Sequence, residues 1–256
     1  MVRTVIFFIV FWGYQICILP ILLALLVRRA RGHHEAVRRT AGRVAWVWSE
    51  LLMGVAGARL RIWGEVNLPL DKPVLYVSNH QGAFDVPLAL IAIGRPVAFI
   101  SKIEMARIPS IGAWMKLKGC IFVDRGRVAT AQQTLDEAVQ ALKDGVSLVV
   151  FPEGTRSGGR EMRPFKAGFA RIAIRSGAPI VPIVMNGTYK MKSRDAPWIT
   201  SATVEVAVEQ PISTTEFTEA DCHELRDRVQ SVIQARLDRS DPLPASADLR
   251  RDSNDR

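Results

Sequence analysis

Cysteine is scarce in this chain of 256 residues, which contains only Cys17, Cys120 and Cys222. These residues lie far apart and without the spacing of a metal-binding motif, and Cys17 is inside an apolar segment. Neither a disulfide framework nor a zinc site is therefore predicted. We expect a reducing compartment and no bound metal.

The sequence also lacks the patterns of two large functional classes. Its basic residues are not interleaved with aromatic ones and no recognition-helix pattern is present, so nucleic acid is not predicted as a partner. The Gly-x-Ser-x-Gly motif, which forms the nucleophile elbow of α/β-hydrolases, does not occur. The net charge of +9 therefore indicates another anionic partner, such as a phospholipid surface or a phosphorylated substrate.

Charge is absent from residues 4–27. At about 1.5 Å per residue a helix of this length is close to one bilayer crossing. A cleaved signal peptide is disfavoured because the apolar run is too long and no small-residue cleavage site follows it. Arg28, Arg29 and Arg31 come directly afterwards, and by the positive-inside rule they place this side of the segment at the cytoplasmic face.

A second N-terminal stretch, residues 44–58, is too short and too polar to span a bilayer comfortably, but Trp46 and Trp48 suit a headgroup interface. Three interpretations stay open. The first segment is a transmembrane helix followed by an interfacial helix, or the two form a hairpin that dips into one leaflet, with Gly13 and Pro20 bending the first helix. The third interpretation is a buried hairpin of a soluble protein.

From about residue 59 short β-rich runs alternate with helical periodicity. The predicted strands are 74–78, 97–101, 120–123, 147–151, 180–185 and 203–208, and the predicted helices are 84–92, 110–118, 127–143, 166–176 and 217–238. This alternation predicts an α/β fold with a mixed, mostly parallel sheet flanked by helices. We divide the chain into an N-terminal membrane-associated helical hairpin (1–58), an α/β domain (59–238) and a polar tail (239–256) that is expected to be disordered.

The segment Asn79-His80-Gln81-Gly82-Ala83-Phe84-Asp85 follows the first of these apolar runs. Imidazole is the usual general base near neutral pH, and a carboxylate can hold it in the required tautomer. Positions five apart on a helix point about 140° away from each other, so a contact requires His80 to precede the helix and Asp85 to lie in its first turns. The alternative is a helix-capping His80, with Asp85 solvating the helix N-terminus.

A second polar segment, residues 151–157, also follows an apolar run. Basic residues recur at such strand ends, at Lys102, Arg125, Arg156 and Lys166. Because the carboxyl ends of parallel strands meet at one edge of a sheet, these cations are expected to converge on an anion such as a phosphate. Ordinary surface charge is the alternative interpretation.

Glu153 in the second segment is expected to pair with an arginine and shape the loop, or to hold a substrate hydroxyl; we favour the structural role. Ser78 could serve as the nucleophile of a Ser-His-Asp hydrolase. Close sequence neighbours rarely build a triad, so a substrate hydroxyl deprotonated by His80 is the favoured nucleophile.

Taken together, these segments resemble the 1-acyl-sn-glycerol-3-phosphate acyltransferases, the bacterial PlsC-type enzymes of the wider glycerolipid acyltransferase family. The resemblance covers roughly residues 60–210, and its four blocks occur in order. They are Asn79-His80 to Asp85 (a His-x4-Asp motif), Gly119-Cys120-Ile121-Phe122-Val123-Asp124-Arg125, Phe151-Pro152-Glu153-Gly154-Thr155-Arg156-Ser157 and Val181-Pro182-Ile183.

The resemblance implies transfer of an acyl group from acyl-CoA or acyl-carrier protein to the sn-2 hydroxyl of lysophosphatidic acid, giving phosphatidic acid for phospholipid synthesis. It implies His80 as general base, Asp85 as its orienting partner, and Lys102, Arg125 and Arg156 as phosphate ligands. No cofactor, metal or covalent acyl-enzyme is expected.

The loop of Glu153, Gly154 and Thr155 would shape the acceptor site, and the protein would act at the cytoplasmic face of the bacterial inner membrane. Position 82 is Gly where many relatives have Ser, and the same motifs occur in enzymes that acylate other lysophospholipids or lyso-ornithine lipid. Another lysolipid acceptor therefore stays open, as does a non-catalytic phospholipid-binding protein.

Overall fold

The β-strands form where short runs of Val, Ile and Leu are bounded by turn residues. The computed structural model describes residues 1–69, 71–124, 128–193 and 196–240, and the strands in this part of the chain build a single sheet. The strands are β1 (Ala58–Trp63), β2 (Leu75–Ser78), β3 (Ala98–Lys102), β4 (Ile121–Val123), β5 (Leu148–Val150), β6 (Ile180–Asn186) and β7 (Ala202–Val208).

The sheet is mixed but mostly parallel, with the strand order β1-β7-β6-β2-β5-β3-β4. The antiparallel pair is β6 with β7, and β1 runs parallel to β7. Strands β6, β2, β5, β3 and β4 therefore end at the same edge. This edge is where a parallel α/β sheet normally binds its ligands.

Both faces of the sheet are covered, which explains why its central strands are continuously apolar. Tyr76 of β2 belongs to one buried cluster, while its neighbours Leu75 and Val77 belong to the other because successive side chains alternate between faces. The helices are α1 (Val2–Cys17), α2 (Leu19–Ala30), α3 (His34–Ala56), α4 (Asp85–Ile93), α5 (Ile103–Ala106), α6 (Pro109–Lys118), α7 (Val128–Lys143), α8 (Gly168–Ser176), α9 (Thr188–Met191) and α10 (Cys222–Arg239).

The predicted fold class is confirmed. Each of the six predicted strands begins and ends within one residue of its predicted bounds. Strand β1 was not predicted. It alternates apolar residues with Arg59 and Arg61, and Arg61 pairs with Glu205 of the neighbouring strand at 3.1 Å, so its pattern lacks the apolar run of the central strands. The predicted helix 217–238 is too long at its start, because Thr218 and Asp221 form a capping box around a separate 3-10 turn.

The three N-terminal helices pack against the sheet domain at one end. The ring of Phe7 lies 5.6 Å from that of Phe84, and Thr4 Oγ1 accepts a hydrogen bond from the Ile199 amide at 2.8 Å. Helix α3 begins at His34, ten residues before the second segment expected from the sequence. All of the expected tail (239–256) except its first two residues lies outside the described residues.

Helices α1 and α2 are bent by 45° at Ile18, and Pro20 lies in the first turn of α2. In the described ranges no helix is by itself long and apolar enough to cross a membrane, although this bent pair has the length and composition together. Many of its large apolar side chains face outward. The most exposed are Met1, Val2, Val5, Ile9, Trp12, Ile16, Leu23 and Val27.

Candidate active site

Polar side chains collect at the edge where the parallel strands end. Asn79 and His80 follow β2, and Glu153 comes three residues after β5. Thr188 begins the short helix that follows β6, the neighbour of β2 on the other side. The sheet order thus brings together segments that are about seventy to one hundred residues apart in the sequence.

His80 precedes α4, and Asp85 is the first residue of that helix. The Nδ1 atom of His80 lies 2.6 Å from Asp85 Oδ2. The arrangement is therefore the one that a contact between these two side chains requires. Asp85 is fully buried, whereas the His80 side chain is 15% exposed. With Nδ1–H donated to the carboxylate, the unprotonated Nε2 is left to act as a base.

Asp85 is held by two further donors. The Gly82 amide donates to Oδ2 at 2.8 Å, and the Thr188 hydroxyl donates to Oδ1. Three hydrogen bonds to two oxygens fix the carboxylate and give the buried charge the partners it needs. Sequence reasoning missed Thr188, because it lies 103 residues beyond Asp85 and no local pattern links the two.

A pair of amide side chains ties the end of β2 to the end of β6. Asn79 donates to the Met185 carbonyl and accepts from the Met185 amide, both at 2.8 Å. Gln81 Oε1 accepts from the Gly187 amide at 2.9 Å. We call these residues the β2–β6 clamp. The clamp positions Thr188 beside Asp85, since Thr188 follows Gly187 directly.

Glu153 has a structural role in the site. Its carboxylate accepts hydrogen bonds from the His80 amide at 2.6 Å and the Arg163 amide at 3.0 Å. The expected arginine partner is thus a backbone N–H rather than a guanidinium. Burial raises the pKa of this carboxyl, and the two backbone hydrogen bonds oppose that shift. The Ser157 amide donates to the His80 carbonyl at 2.7 Å, so the loop holds the backbone of His80 from both sides.

The predicted phosphate ligands lie at this edge as far as the structure describes them. Lys102 ends β3 with an exposed side chain, and the exposed Arg156 precedes Ser157, which contacts His80 directly. Thr155 is also exposed, and Gly154 adopts a positive φ of 75° that makes the loop turn sharply. Arg125 lies outside the described residues.

Ser78 is badly placed to be a nucleophile. Its side chain is fully buried in β2, and its hydroxyl donates to the Asn79 carbonyl at 3.0 Å. A covalent Ser-His-Asp mechanism is therefore disfavoured. Within the described ranges no three His, Cys, Asp or Glu side chains come together as a metal site would require.

An apolar cavity of about 90 Å³ lies among α1, α3, α4 and α6. Val86, the residue after Asp85, contributes to its wall together with Phe99, Tyr14 and Lys118. The Phe151 ring stacks on the His80 ring at 4.3 Å and lies 6.4 Å from that of Phe99. The Phe151 and Phe99 rings thus connect His80 to the wall of the cavity between the N-terminal helices and α4.

The fold and site define an α/β protein that presents a carboxylate-oriented histidine at the carboxyl edge of its sheet. Residues 59–186 match the Acyltransferase family model, and the chain belongs to this family. The chain is 36% identical over 177 residues to 1-acyl-sn-glycerol-3-phosphate acyltransferase alpha from Homo sapiens, covering 68% of this chain and 62% of that protein. It is 25% identical over 189 residues to 1-acyl-sn-glycerol-3-phosphate acyltransferase from Borreliella burgdorferi, covering 74% and 76%.

A solved structure shares the architecture. The crystal structure of the 1-acyl-sn-glycerophosphate acyltransferase PlsC from Thermotoga maritima superposes with a TM-score of 0.77 at 26% identity, covering 93% of this chain and 95% of that chain. The chain spans less than two thirds of the human relative and about half of a Brassica napus relative, 1-acyl-sn-glycerol-3-phosphate acyltransferase BAT2 (49%). The family resemblance predicted from the sequence motifs is confirmed.

Proposed function

We propose that this protein transfers an acyl group from a thioester to the sn-2 hydroxyl of 1-acyl-sn-glycerol-3-phosphate, which gives phosphatidic acid. The observation that carries the proposal is the His80 imidazole, held through Nδ1 by Asp85 at the carboxyl edge of the sheet. The acyltransferase activity for which the relatives are named supports the same reaction.

The chemistry follows from the orientation of the imidazole. His80 Nε2 removes the proton of the acceptor hydroxyl as the oxygen attacks the thioester carbonyl carbon. The tetrahedral intermediate collapses with cleavage of the carbon–sulfur bond, and the proton on Nε2 goes to the departing thiolate. Asp85 stabilises the imidazolium that exists between these steps and keeps the ring in one tautomer. No acyl-enzyme forms, and neither a metal nor a cofactor takes part.

The acceptor phosphate has cationic ligands at the same edge. Lys102 and Arg156 are exposed there, and we assign Arg125 to the same role from its motif. Arg suits bidentate contacts with phosphate oxygens, whereas Lys acts as a point charge. Thr155 and the turn at Gly154 shape the entrance on this side.

The apolar cavity beside Val86 suits an acyl chain, because its walls are aromatic and aliphatic side chains of α1, α3, α4 and α6. The exposed apolar face of α1 and α2 suits insertion into a lipid monolayer. These features support action at a lipid surface, and we propose the cytoplasmic face of the bacterial inner membrane, where lysophosphatidic acid and either acyl-CoA or acyl-carrier protein meet.

Release of free thiol from acyl-CoA in the presence of lysophosphatidic acid tests the proposal. His80→Ala should lower kcat by about 10²–10⁴-fold, which is the usual contribution of a positioned general base. Ser78→Ala is the matched control and should keep near-normal turnover. A His80→Ala variant with near-normal activity would contradict the assignment, and an inactive Ser78→Ala variant that is correctly folded would favour an acyl-enzyme.

A panel of acceptors tests the substrate. Lysophosphatidic acid should be preferred over lysophosphatidylcholine and over lyso-ornithine lipid, because Lys102 and Arg156 suit a terminal phosphate. A clear preference for another lysolipid would keep the reaction and replace the acceptor. Binding of lysophosphatidic acid without thiol release from any donor would instead favour a non-catalytic lipid-binding protein.

A further inference from the structure

A second pocket opens at the edge of the sheet opposite His80. It has a volume of about 370 Å³. Its floor is formed by residues that lie just before the starts of strands β2, β3 and β5, namely Pro73, Val97 and Ser147. The start of α3 and the end of α6 complete the wall. Apart from Lys118, which also lines the apolar cavity, none of its lining residues belongs to the site of the proposed acyl transfer.

The pocket is strongly basic. Its lining contains five cationic and two acidic side chains, which are Arg38, Arg39, Lys72, Arg95 and Lys118 against Glu35 and Asp71. One of the acids is already engaged, because Glu35 lies 3.0 Å from the Arg39 guanidinium. Such an excess of positive charge in a concave site attracts anions and raises their local concentration.

Lys118 makes the pocket more than a patch of surface charge. Its side chain is only 7% exposed, and no ion pair to it is found among the residues that the structure describes. The Nζ atom lies 5.3 Å from the centroid of the Phe99 ring. Burial lowers the pKa of this ammonium to about 8. An unpaired buried charge is costly, and an anion in the pocket would compensate it.

Lys118 also separates two environments. It contributes to the wall of the basic pocket and to that of the apolar cavity. Its side chain therefore borders both, and its ammonium lies over the ring of Phe99, which lines the apolar cavity.

We propose that this pocket binds the phosphate group of an anionic phospholipid, separately from the acceptor and donor of the acyl transfer. A membrane source is favoured over a soluble one by the neighbouring elements. Helix α2 ends with Arg28 and Arg29 after its exposed apolar face, and Arg29 contacts the carbonyl of Lys116 on α6. The pocket thus lies near the basic end of the apolar helices α1 and α2. Basic residues at such a position attract anionic headgroups.

Sedimentation with vesicles tests this site without any turnover. The purified protein is mixed with phosphatidylcholine vesicles that contain or lack phosphatidylglycerol, at fixed ionic strength. Lys118→Met removes the buried charge and keeps the length of the side chain. Arg31→Ala is the matched control, because Arg31 is exposed near the same helix end but does not line the pocket.

The two variants separate a specific site from general attraction. One exposed basic residue near an anionic surface contributes about fivefold to partitioning. If the pocket binds a headgroup, Lys118→Met should lower phosphatidylglycerol-dependent binding by about tenfold or more, exceeding the loss in Arg31→Ala. General surface attraction predicts the reverse order, and that result would overturn the proposal.

Inorganic phosphate identifies the source of the anion. Added at constant ionic strength, it should weaken phosphatidylglycerol-dependent binding of the unmodified protein and leave Lys118→Met unaffected. If phosphate raises the melting temperature only when Lys118 is present, while the vesicle binding of both proteins is equal, the pocket serves a soluble phosphate and the lipid assignment is wrong. Arg38→Ala should reproduce the loss seen for Lys118→Met, which guards against an effect of altered packing.

Discussion

Replacement of Asp85 by Asn tests how the site holds its base. The carboxylate accepts three hydrogen bonds, from His80 Nδ1, the Gly82 amide and the Thr188 hydroxyl. An asparagine of the same shape has one acceptor oxygen and one NH2 group. If the NH2 group occupies the position of Oδ2, it faces two other hydrogen-bond donors, His80 Nδ1–H and the Gly82 amide. The imidazole can then keep a hydrogen bond to this group only if its proton moves from Nδ1 to Nε2. The protonated Nε2 can no longer act as a base.

If the NH2 group takes the other position, the Thr188 hydroxyl can turn and accept instead of donating. This orientation leaves the oxygen facing His80 and Gly82, so the local packing survives. The two orientations of the asparagine therefore differ in activity. The loss in kcat measures the fraction of the protein in which His80 has the inactive tautomer. A wrong-tautomer change of this kind in a serine-protease triad costs about 10⁴-fold in kcat. If the inactive tautomer dominates, we expect a loss of about 10³–10⁴-fold here, with the KM of the acyl donor little changed.

The assay is thiol release at saturating lysophosphatidic acid, accompanied by urea unfolding to show that the variant is folded. One unsatisfied buried donor costs about 1–3 kcal/mol of the free energy of unfolding, which leaves the protein folded at room temperature. A loss of less than about tenfold in kcat in folded Asp85→Asn would show that the active orientation dominates. The orienting role of Asp85 is refuted if folded Asp85→Ala, which offers the imidazole no acceptor, also loses less than about tenfold, since base catalysis alone is worth more than that.

Three further variants extend the test. Thr188→Val should lower kcat by roughly tenfold and the free energy of unfolding by about 1–3 kcal/mol, because Asp85 Oδ1 loses its donor; Thr188→Ser should restore both, and equal kcat in all three proteins would contradict the contact. Gly82→Ala should lower kcat severalfold, because the added Cβ would lie 3.1 Å from the Thr188 carbonyl oxygen; unchanged kinetics would show that this contact is not tight. Lys118→Met should raise the free energy of unfolding at pH 7 by up to roughly 3 kcal/mol, since the folded-state pKa of about 8 lies below the ordinary value of 10.5. This advantage should shrink as the pH rises from 8 to 10.5, where the unfolded chain binds more protons than the folded one; urea unfolding at a series of pH values shows it, and a constant difference would contradict it.

Much of the fold could be predicted because the central strands are buried on both faces and their apolar runs are unbroken. Tyr76 and its neighbours gave such a run, and the turn residues around it marked its ends. Strand β1 was missed for the opposite reason, since its arginines pair across the sheet with side chains of β7 that are far away in the sequence.

The candidate site also has one part that could be predicted from the sequence and another part that could not. His80 and Asp85 lie on one short segment, so the geometry that a contact between them needs could be predicted from their spacing. Thr188 could not be found, because its role depends on which strand lies beside β2. The backbone partners of Glu153 were equally hidden, since an amide group carries no sequence signature. The roles of the predicted phosphate ligands stay predictions.

The β2–β6 clamp makes the appearance of activity a measure of complete folding. Strand β2 and the histidine that follows it are synthesised about a hundred residues before β6. The three hydrogen bonds that Asn79 and Gln81 make with Met185 and Gly187 each span 106 positions. Contacts of such long range form late, because a large loop must close first. A nascent or truncated chain that ends before β6 would carry the His-x4-Asp motif without a supported carboxylate. The proposed acyl transfer would therefore begin only once the second half of the sheet has docked.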